Sequence, residues 1–550
     1  MIARILAGAA LGALASTAAL AADDPTEAAF RATYKELVET NTTVSTGSCT
    51  LAAQRMGARL KAAGFADDQI TYYATPEHPR DGGLVAVLPG TSNTQKPILL
   101  LAHIDVVEAK RADWTRDPFT LVEENGYFWA RGTFDDKAMA SVWVDTMARL
   151  KAGHVKLRRT LKLALTCGEE TSGAFNGADW LAKNRRDLID AEFAINEGGG
   201  GMTDGKGLGE GGHLTAMSVQ VGEKASQDYR VETRNPGGHS SIPIRDNAIY
   251  QLSDALLRLR AYEFPAELND TTRAFFARAG AARGGPVGQA MQTVASAAPD
   301  SDAFKSAVAL LDHDRSLHST LRTTCVATML DGGHATNALP QRAGAIVNCR
   351  IFPGHSFAEV NATLVKVFND PGVMVTTNDP NHPLAKAPPM DPRVIGPIEA
   401  LSAKYFPGVP LVPTMSTGAT DGIYLEAVGI PTYGAPGIWA NPDLNGIHGL
   451  NEHLEVASLM KGRAFLYDLV LAYAKEGGKA FKARVGARAG PATAPWRPFL
   501  PYWGGRMCRR RAHGRRCCHS PKGWRSRHRG CARRYRVPAV RRRYRARHAR

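Results

Sequence analysis

Ile98-Leu99-Leu100-Leu101-Ala102-His103-Ile104-Asp105 runs five apolar residues straight into a histidine and an aspartate. So short and unbroken an apolar run reads as a strand buried on both faces. Around it, Gly83 to Leu88, Leu161 to Thr166 and Phe193 to Asn196 also read as strands, while Ala138 to Leu150 and Trp180 to Ile189 have helical spacing. Strands alternating with helices predict an α/β sheet with helices on its faces. In such sheets binding and catalytic groups gather at the carboxyl ends of the strands.

The texture changes near Thr215. Alternating Met217 to Val221 and Tyr229 to Glu232 suggest antiparallel pairing, a helix follows at Ala248 to Arg260, and 262–320 reads as an inserted helical region. Strand signals return at Cys325 to Leu330 and Ala343 to Ile351, and the first texture resumes near Pro388. The expected organisation is a first α/β part over 22–214, a smaller α+β insertion over 215–387 and a second α/β part over 388–482.

Arg4 precedes an apolar run from Ile5 to Ala22, and Ala19-Leu20-Ala21 has the small-x-small pattern of a cleavage site. Residues 1–21 therefore read as a secretory signal, which places the mature chain in the periplasm or outside the cell. Such a compartment permits disulfides, but spacing alone does not pair Cys49, Cys167, Cys325 and Cys349. The net charge of +16 is misleading as a guide to partners. Residues 491–550 hold 20 Lys and Arg and no Asp or Glu, leaving 48 basic against 52 acidic residues in the rest. The main body is thus not a nucleic-acid binder by charge, and the Arg-rich segment 483–550 reads as a disordered tail that could touch anionic surfaces.

Five clusters carry chemistry. His103 follows the apolar strand, with Asp105 two residues on as a carboxylate that could orient its imidazole. Asp135-Asp136 follows Gly132, and adjacent carboxylates are costly unless a cation is close. Glu169-Glu170 reads as the end of the apolar strand begun at Leu161, where side chains alternate in direction, so one carboxylate can bind metal while the other takes a proton from the attacking water. Glu197 precedes Gly198-Gly199-Gly200, and His448 lies between Ile447 and Gly449. Each cluster alone also has a plain structural reading: a polar pair, an acidic turn capping the helix at Ala138, a surface glutamate pair. Together, two histidines and three carboxylates suit two zinc ions that share one aspartate.

The ordered set H-x-D, G-x-x-D-D-K, G-E-E, an acidic residue before Gly-Gly, and a late H-x-x-N-E resembles metallopeptidase family twenty over roughly 30–480. Glutamate carboxypeptidase, carboxypeptidase S, aminoacylase, acetylornithine deacetylase and succinyl-diaminopimelate desuccinylase are members. The resemblance implies a zinc-exopeptidase-like mixed sheet flanked by helices, with an inserted lid and dimerisation domain. It implies two zinc ions per subunit, with cobalt as a substitute. His103 and Glu197 would hold one, Glu170 and His448 the other, and Asp135 would bridge them. It further implies a cis Asp135-Asp136 bond, Glu169 as general base and Asp105 as the group orienting His103. In the lid, Asn235-Pro236-Gly237-Gly238-His239 resembles the motif whose histidine stabilises the oxyanion, often across a homodimer. Asn337 would bind substrate and Arg350 would grip its carboxylate. Asn348, Ile423 and Ala138 depart from the family pattern.

The implied function is cleavage of a peptide or N-acyl amide bond by a carboxypeptidase or N-acyl-amino-acid hydrolase. An aminopeptidase or dipeptidase of the same superfamily is the alternative, and a metal-binding protein without catalysis is the third reading. The intact Glu169 and His239 argue against the third, because binding metal would not require them. If the basic tail is inert, deleting 491–550 leaves folding and activity intact; loss of folding would refute that.

Overall fold

The computed structural model describes residues 25–171, 173–299, 301–378, 383–384 and 386–475. The expected signal segment 1–21 and the tail 483–550 lie outside the described residues. Among the described residues, ten strands form one mixed sheet. At its centre Ile98–His103 runs parallel to Leu161–Thr166 on one side and to Phe193–Asn196 on the other. Phe193–Asn196 in turn runs parallel to Thr432–Gly434.

The unbroken apolar run is explained by two different covers. Ile98, Leu100 and Ala102 share a buried cluster with Trp143 of helix Lys137–Ala152 and with Phe465 and Leu469 of helix Val456–Lys475. Leu99 and Leu101 point the other way, into a cluster with Ala178 and Leu181 of helix Gly177–Asn184 and with Leu425. Side chains alternate across a strand, so both faces of this one must be apolar. Leu84, Ala86 and Val85 divide between the same two clusters.

A second sheet is wholly antiparallel, in the order Thr324–Gly332, Arg342–Ile351, Ala225–Arg234, Val373–Thr377. Helices Ala248–Ala261 and Phe357–Phe368 contribute Leu252, Leu259, Leu364 and Phe368 to its core. This sheet begins at Ala225, ten residues later than the boundary expected at 215. The strand Leu214–Glu223 belongs instead to the large sheet, parallel to Leu411–Ser416. Its alternation and that of Ala225–Arg234 look alike because each has one neighbour or more running antiparallel, but in different sheets. Helices Asp270–Arg283, Gly285–Ser296 and Asp302–Leu311 form the expected helical insertion with a core of its own. Arg278 joins it to Glu399 at 3.0 Å.

Among the described residues two disulfides are present, Cys49–Cys167 and Cys325–Cys349. The first links the start of helix Cys49–Ala62 to the loop after Leu161–Thr166, and the second joins neighbouring strands of the smaller sheet. Among the described residues no helix is long and apolar enough to cross a membrane.

Lys224 is the single residue between the two sheets. It is fully buried, and its Nζ donates to the Arg322 carbonyl at 2.6 Å and to Ser319 Oγ at 3.3 Å. Burial, reinforced by the charges of Arg350 and Arg322, pushes its pKa down to about 7. Between that value and the ordinary lysine value, the folded chain binds fewer protons than the unfolded one. Stability from this residue therefore rises with pH across that window and is lowest below it. Lys224→Met should stabilise more at pH 6 than at pH 9, the difference being on the order of 2 kcal/mol by urea unfolding.

Candidate metal centre

Three parallel strands deliver the first side chains. His103 ends Ile98–His103, Glu169 and Glu170 follow Leu161–Thr166, and Glu197 follows Phe193–Asn196. Because these strands are parallel and adjacent, their carboxyl ends open on one side of the sheet. Asp135 arrives just before helix Lys137–Ala152, and His448 comes from the loop before strand His453–Glu455.

The Asp135 carboxylate lies between two imidazoles. Its Oδ1 is 3.1 Å from His103 Nε2 and its Oδ2 is 3.2 Å from His448 Nε2. His448 Nε2 is also 2.7 Å from Glu170 Oε2, and His103 Nε2 is 3.7 Å from Glu197 Oε1. Donor atoms of His103, Glu169 and Glu197 lie within 4.8 Å of one another, as do those of His103, Asp135 and Glu170. The five side chains expected as metal ligands, and Glu169, are thus brought together. The Asp135–Asp136 bond is cis, as the resemblance implied.

The electrostatics of this cluster are those of a crowded acidic site. Burial pushes the Glu169 carboxyl up to about 9, with Asp421, Glu170 and Asp135 adding to the rise against His103. Burial likewise raises Glu170 and holds Glu197 well above the ordinary carboxyl value. His448 is pushed up to about 10 by its hydrogen bonds to Asp135 and Glu170. For His103, burial opposes the charge, but Glu197, Asp105 and Asp135 outweigh it and hold the pKa well above the usual imidazole value. Asp105 Oδ1 and Asp136 Oδ2 are buried and have no hydrogen-bond partner among the described residues. Carboxylates gathered so closely need positive charge between them. A nitrogen and oxygen donor set of this kind fits divalent transition cations.

Two expectations change in detail. The Glu169-Glu170 pair lies in a bend rather than on the strand, which ends at Thr166. Gly168 makes the bend at φ +94°, where an added Cβ would stand 1.8 Å from the Phe175 carbonyl oxygen. The bend lets Glu169 approach His103 and Glu197 while Glu170 meets His448. His103 Nδ1 lies 3.1 Å from the Asp105 main-chain oxygen, against 3.5 Å from its carboxylate Oδ1. The carboxylate instead accepts the Glu170 backbone N–H at 3.1 Å, so Asp105 ties two of the strand-end loops together.

The residues expected in the lid do not join the cluster. His239 and Asn337 lie side by side, since His239 pairs with Ala338 and Ser240 N donates to the Asn337 carbonyl at 3.1 Å. Both are exposed, and among the described residues neither has a hydrogen bond or ion pair to the acidic cluster. The His239 ring is held by Ser241, whose Oγ is 2.7 Å from Nδ1. Arg350 is half-buried on Arg342–Ile351, opposite Ser226 and Thr324. Asn348 Nδ2 donates to Asp228 Oδ1 at 2.7 Å, so the acidic group near this position comes from the neighbouring strand. Ile423 is buried against the smaller sheet's core.

One supporting residue stood in the chain only beside the departure at Ile423, with no role of its own assigned. Asp421, fully buried, accepts Thr166 Oγ1 at 2.6 Å and Asn176 Nδ2 at 2.7 Å. It braces both ends of the segment that carries Glu169 and Glu170. Asp421→Ala should cost about 2 kcal/mol in urea unfolding, in line with a buried charged hydrogen bond, and expose 167–176 to proteolysis.

Comparison with known proteins gives the family. The model described as peptidase family M20/M25/M40 matches residues 99–472. A probable carboxypeptidase S-like protein of Dictyostelium discoideum is 27% identical over 386 residues, covering 69% of this chain and 72% of that protein. An N-fatty-acyl-amino acid synthase/hydrolase of Mus musculus is 24% identical over 396 residues, covering 70% and 75%. Among solved structures, an M20 family metallo-carboxypeptidase from Sulfolobus solfataricus has a TM-score of 0.59 at 19% identity, covering 81% of this chain and 99% of that one. A di-peptidase from Saccharomyces cerevisiae has a TM-score of 0.55 at 16% identity, covering 82% and 96%. These two structures share the mixed sheet flanked by helices. The family model spans most of the described residues and every residue of the acidic cluster, and the chain belongs to peptidase family M20/M25/M40.

Proposed function

We propose that this chain is a two-zinc hydrolase that cleaves a peptide or N-acyl amide bond next to a free carboxylate, as a carboxypeptidase or N-acyl-amino-acid hydrolase. The observation that carries this is Asp135, with one carboxylate oxygen toward His103 and the other toward His448. His103 and Glu197 would hold one zinc, Glu170 and His448 the other, with Asp135 between them; cobalt would substitute. When bound, the two cations make water a stronger acid and polarise the scissile carbonyl.

The protein's own groups do the rest. Glu169 takes a proton from the attacking water and delivers it to the leaving amine as the C–N bond breaks. Its burial beside the cluster supports a carboxyl able to hold that proton between the two steps. Asp105 fixes the His103 ring through its main-chain oxygen. Arg350, with no acidic partner in hydrogen-bond range among the described residues, is available to a substrate carboxylate, and Asn337 to the amide.

His239 would donate to the oxyanion of a second subunit. Its exposure supports this, as does exposed apolar surface in the same inserted part of the chain: Ile242 is 73% exposed, and Val326, Met329 and Leu330 on the edge strand of the smaller sheet are 60, 68 and 71% exposed. Apolar area of this kind on a sheet edge favours pairing with another copy. Export to the periplasm or beyond is supported by residues 1–21 and by the two disulfides. The names of the carboxypeptidase S-like and N-acyl-amino-acid relatives support the substrate class.

A panel of dipeptides and N-acyl amino acids, assayed with zinc and after chelation, tests the proposal. Activity should vanish on chelation and return with zinc. Glu169→Gln should lower kcat about a thousandfold while both zinc ions stay bound. Turnover that survives thorough metal removal, or a fully active Glu169→Gln, would sink it.

A further inference from the structure

Glu452 lies four residues after His448, and its carboxylate is fully buried. Four hydrogen bonds reach it, all from the segment that ends at Asp135. Oε2 accepts Arg131 Nη1 at 2.8 Å and the Gly132 N–H at 2.9 Å; Oε1 accepts the Phe134 N–H at 2.9 Å and the Asp135 N–H at 3.1 Å. Arg131 completes the link in the other direction. Its Nη2 donates to the carbonyl of Gly449, the residue after His448, at 2.7 Å. The guanidinium sits 5.0 Å from the Trp114 ring centroid, and the side chains of Arg131 and Glu452 are 3% and 1% exposed.

Two loops far apart in the chain are therefore joined by one buried ion pair. One loop carries Asp135 and the other carries His448, which itself has φ +57°. Leu444, Asn445 and Asn451 in the same loop also have positive φ, so the loop does not hold its shape by backbone preference. Asn451 adds a second pin, its Oδ1 accepting from Thr115 N at 3.1 Å and Thr115 Oγ1 at 2.8 Å. A buried ion pair is seldom more stabilising than apolar residues of the same size. Its placement here, with three backbone N–H groups of one metal-ligand loop satisfied by a side chain of the other, is explained by position rather than by stability.

We propose that Arg131 and Glu452 are positioning residues that set the separation of Asp135 and His448, and with it the second cation's site. This rests on the two-zinc reading above. Neither residue touches substrate or metal; each acts through the loop it holds.

The test compares wild type, Glu452→Gln and the double variant Arg131→Met with Glu452→Gln. Glu452→Gln keeps the shape but turns an amide NH2 toward donors that need an acceptor. Zinc affinity is read by competition with a chelator, ligand geometry by the visible spectrum of the cobalt-substituted protein, and kcat, KM and the thermal midpoint are measured alongside. In Glu452→Gln, one of the two zinc equivalents should weaken by about 10- to 100-fold, with an altered cobalt spectrum. kcat should fall by a similar factor or more while KM changes little. The double variant removes the unpaired charge, so its midpoint should recover while zinc affinity and kcat do not. Recovery of all three together would show a merely structural pair and overturn the proposal, as would wild-type zinc affinity in Glu452→Gln. Two equivalents bound equally by wild type and variants would sink this proposal alone. Fewer than two in wild type would sink the two-zinc reading and this proposal with it.

Discussion

The carboxylate of Asp135 presents one oxygen to His103 and the other to His448, and the surrounding structure exists in large part to keep it there. Several acidic side chains within a few ångströms repel one another, and burial raises the cost of ionising them. Such a cluster persists only where rigid elements leave its members nowhere else to go. Here the rigid elements are parallel strands buried on both faces, whose ends lie side by side.

The supports form a chain of contacts behind the ligands. Asp421 holds Thr166 and Asn176, Asp105 holds the Glu170 backbone, and Glu452 holds the backbone from Gly132 to Asp135. In each case a buried carboxylate takes up N–H or O–H groups of a neighbouring loop. Loops without regular pairing must satisfy their backbone donors somehow, and a side-chain acceptor does so while also fixing the loop's place. Asp105 and Asp421 also add negative charge near the site, which strengthens its demand for cations.

Much of the centre was legible in the chain. The strands at Gly83–Leu88, Leu161–Thr166 and Phe193–Asn196 have the bounds their apolar runs suggest, because burial on both faces leaves a pattern with abrupt ends. The residues that meet at the cluster sit just beyond such ends. The smaller sheet was harder to delimit. Leu214–Glu223 and Ala225–Arg234 are consecutive and similar in texture, and nothing local says that they enter different sheets. Glu452 appeared only as the last letter of a motif, because its partners, three backbone N–H groups and the Arg131 guanidinium, lie about three hundred residues away in sequence.

Sequence by itself determined the class of fold, the family resemblance and the identity of the histidines and carboxylates that meet. Those follow from side-chain type and order, which do not depend on conformation. Tertiary structure decided how they meet: that Glu169 and Glu170 part in a bend at Gly168, that Asp105 faces His103 with its carbonyl and Glu170 with its carboxylate, and that Glu452 and Arg131 close two distant loops. Such relations depend on backbone direction and on hydrogen bonds between remote segments. They take shape only when the strands have packed and the loops have found the acceptors that satisfy them.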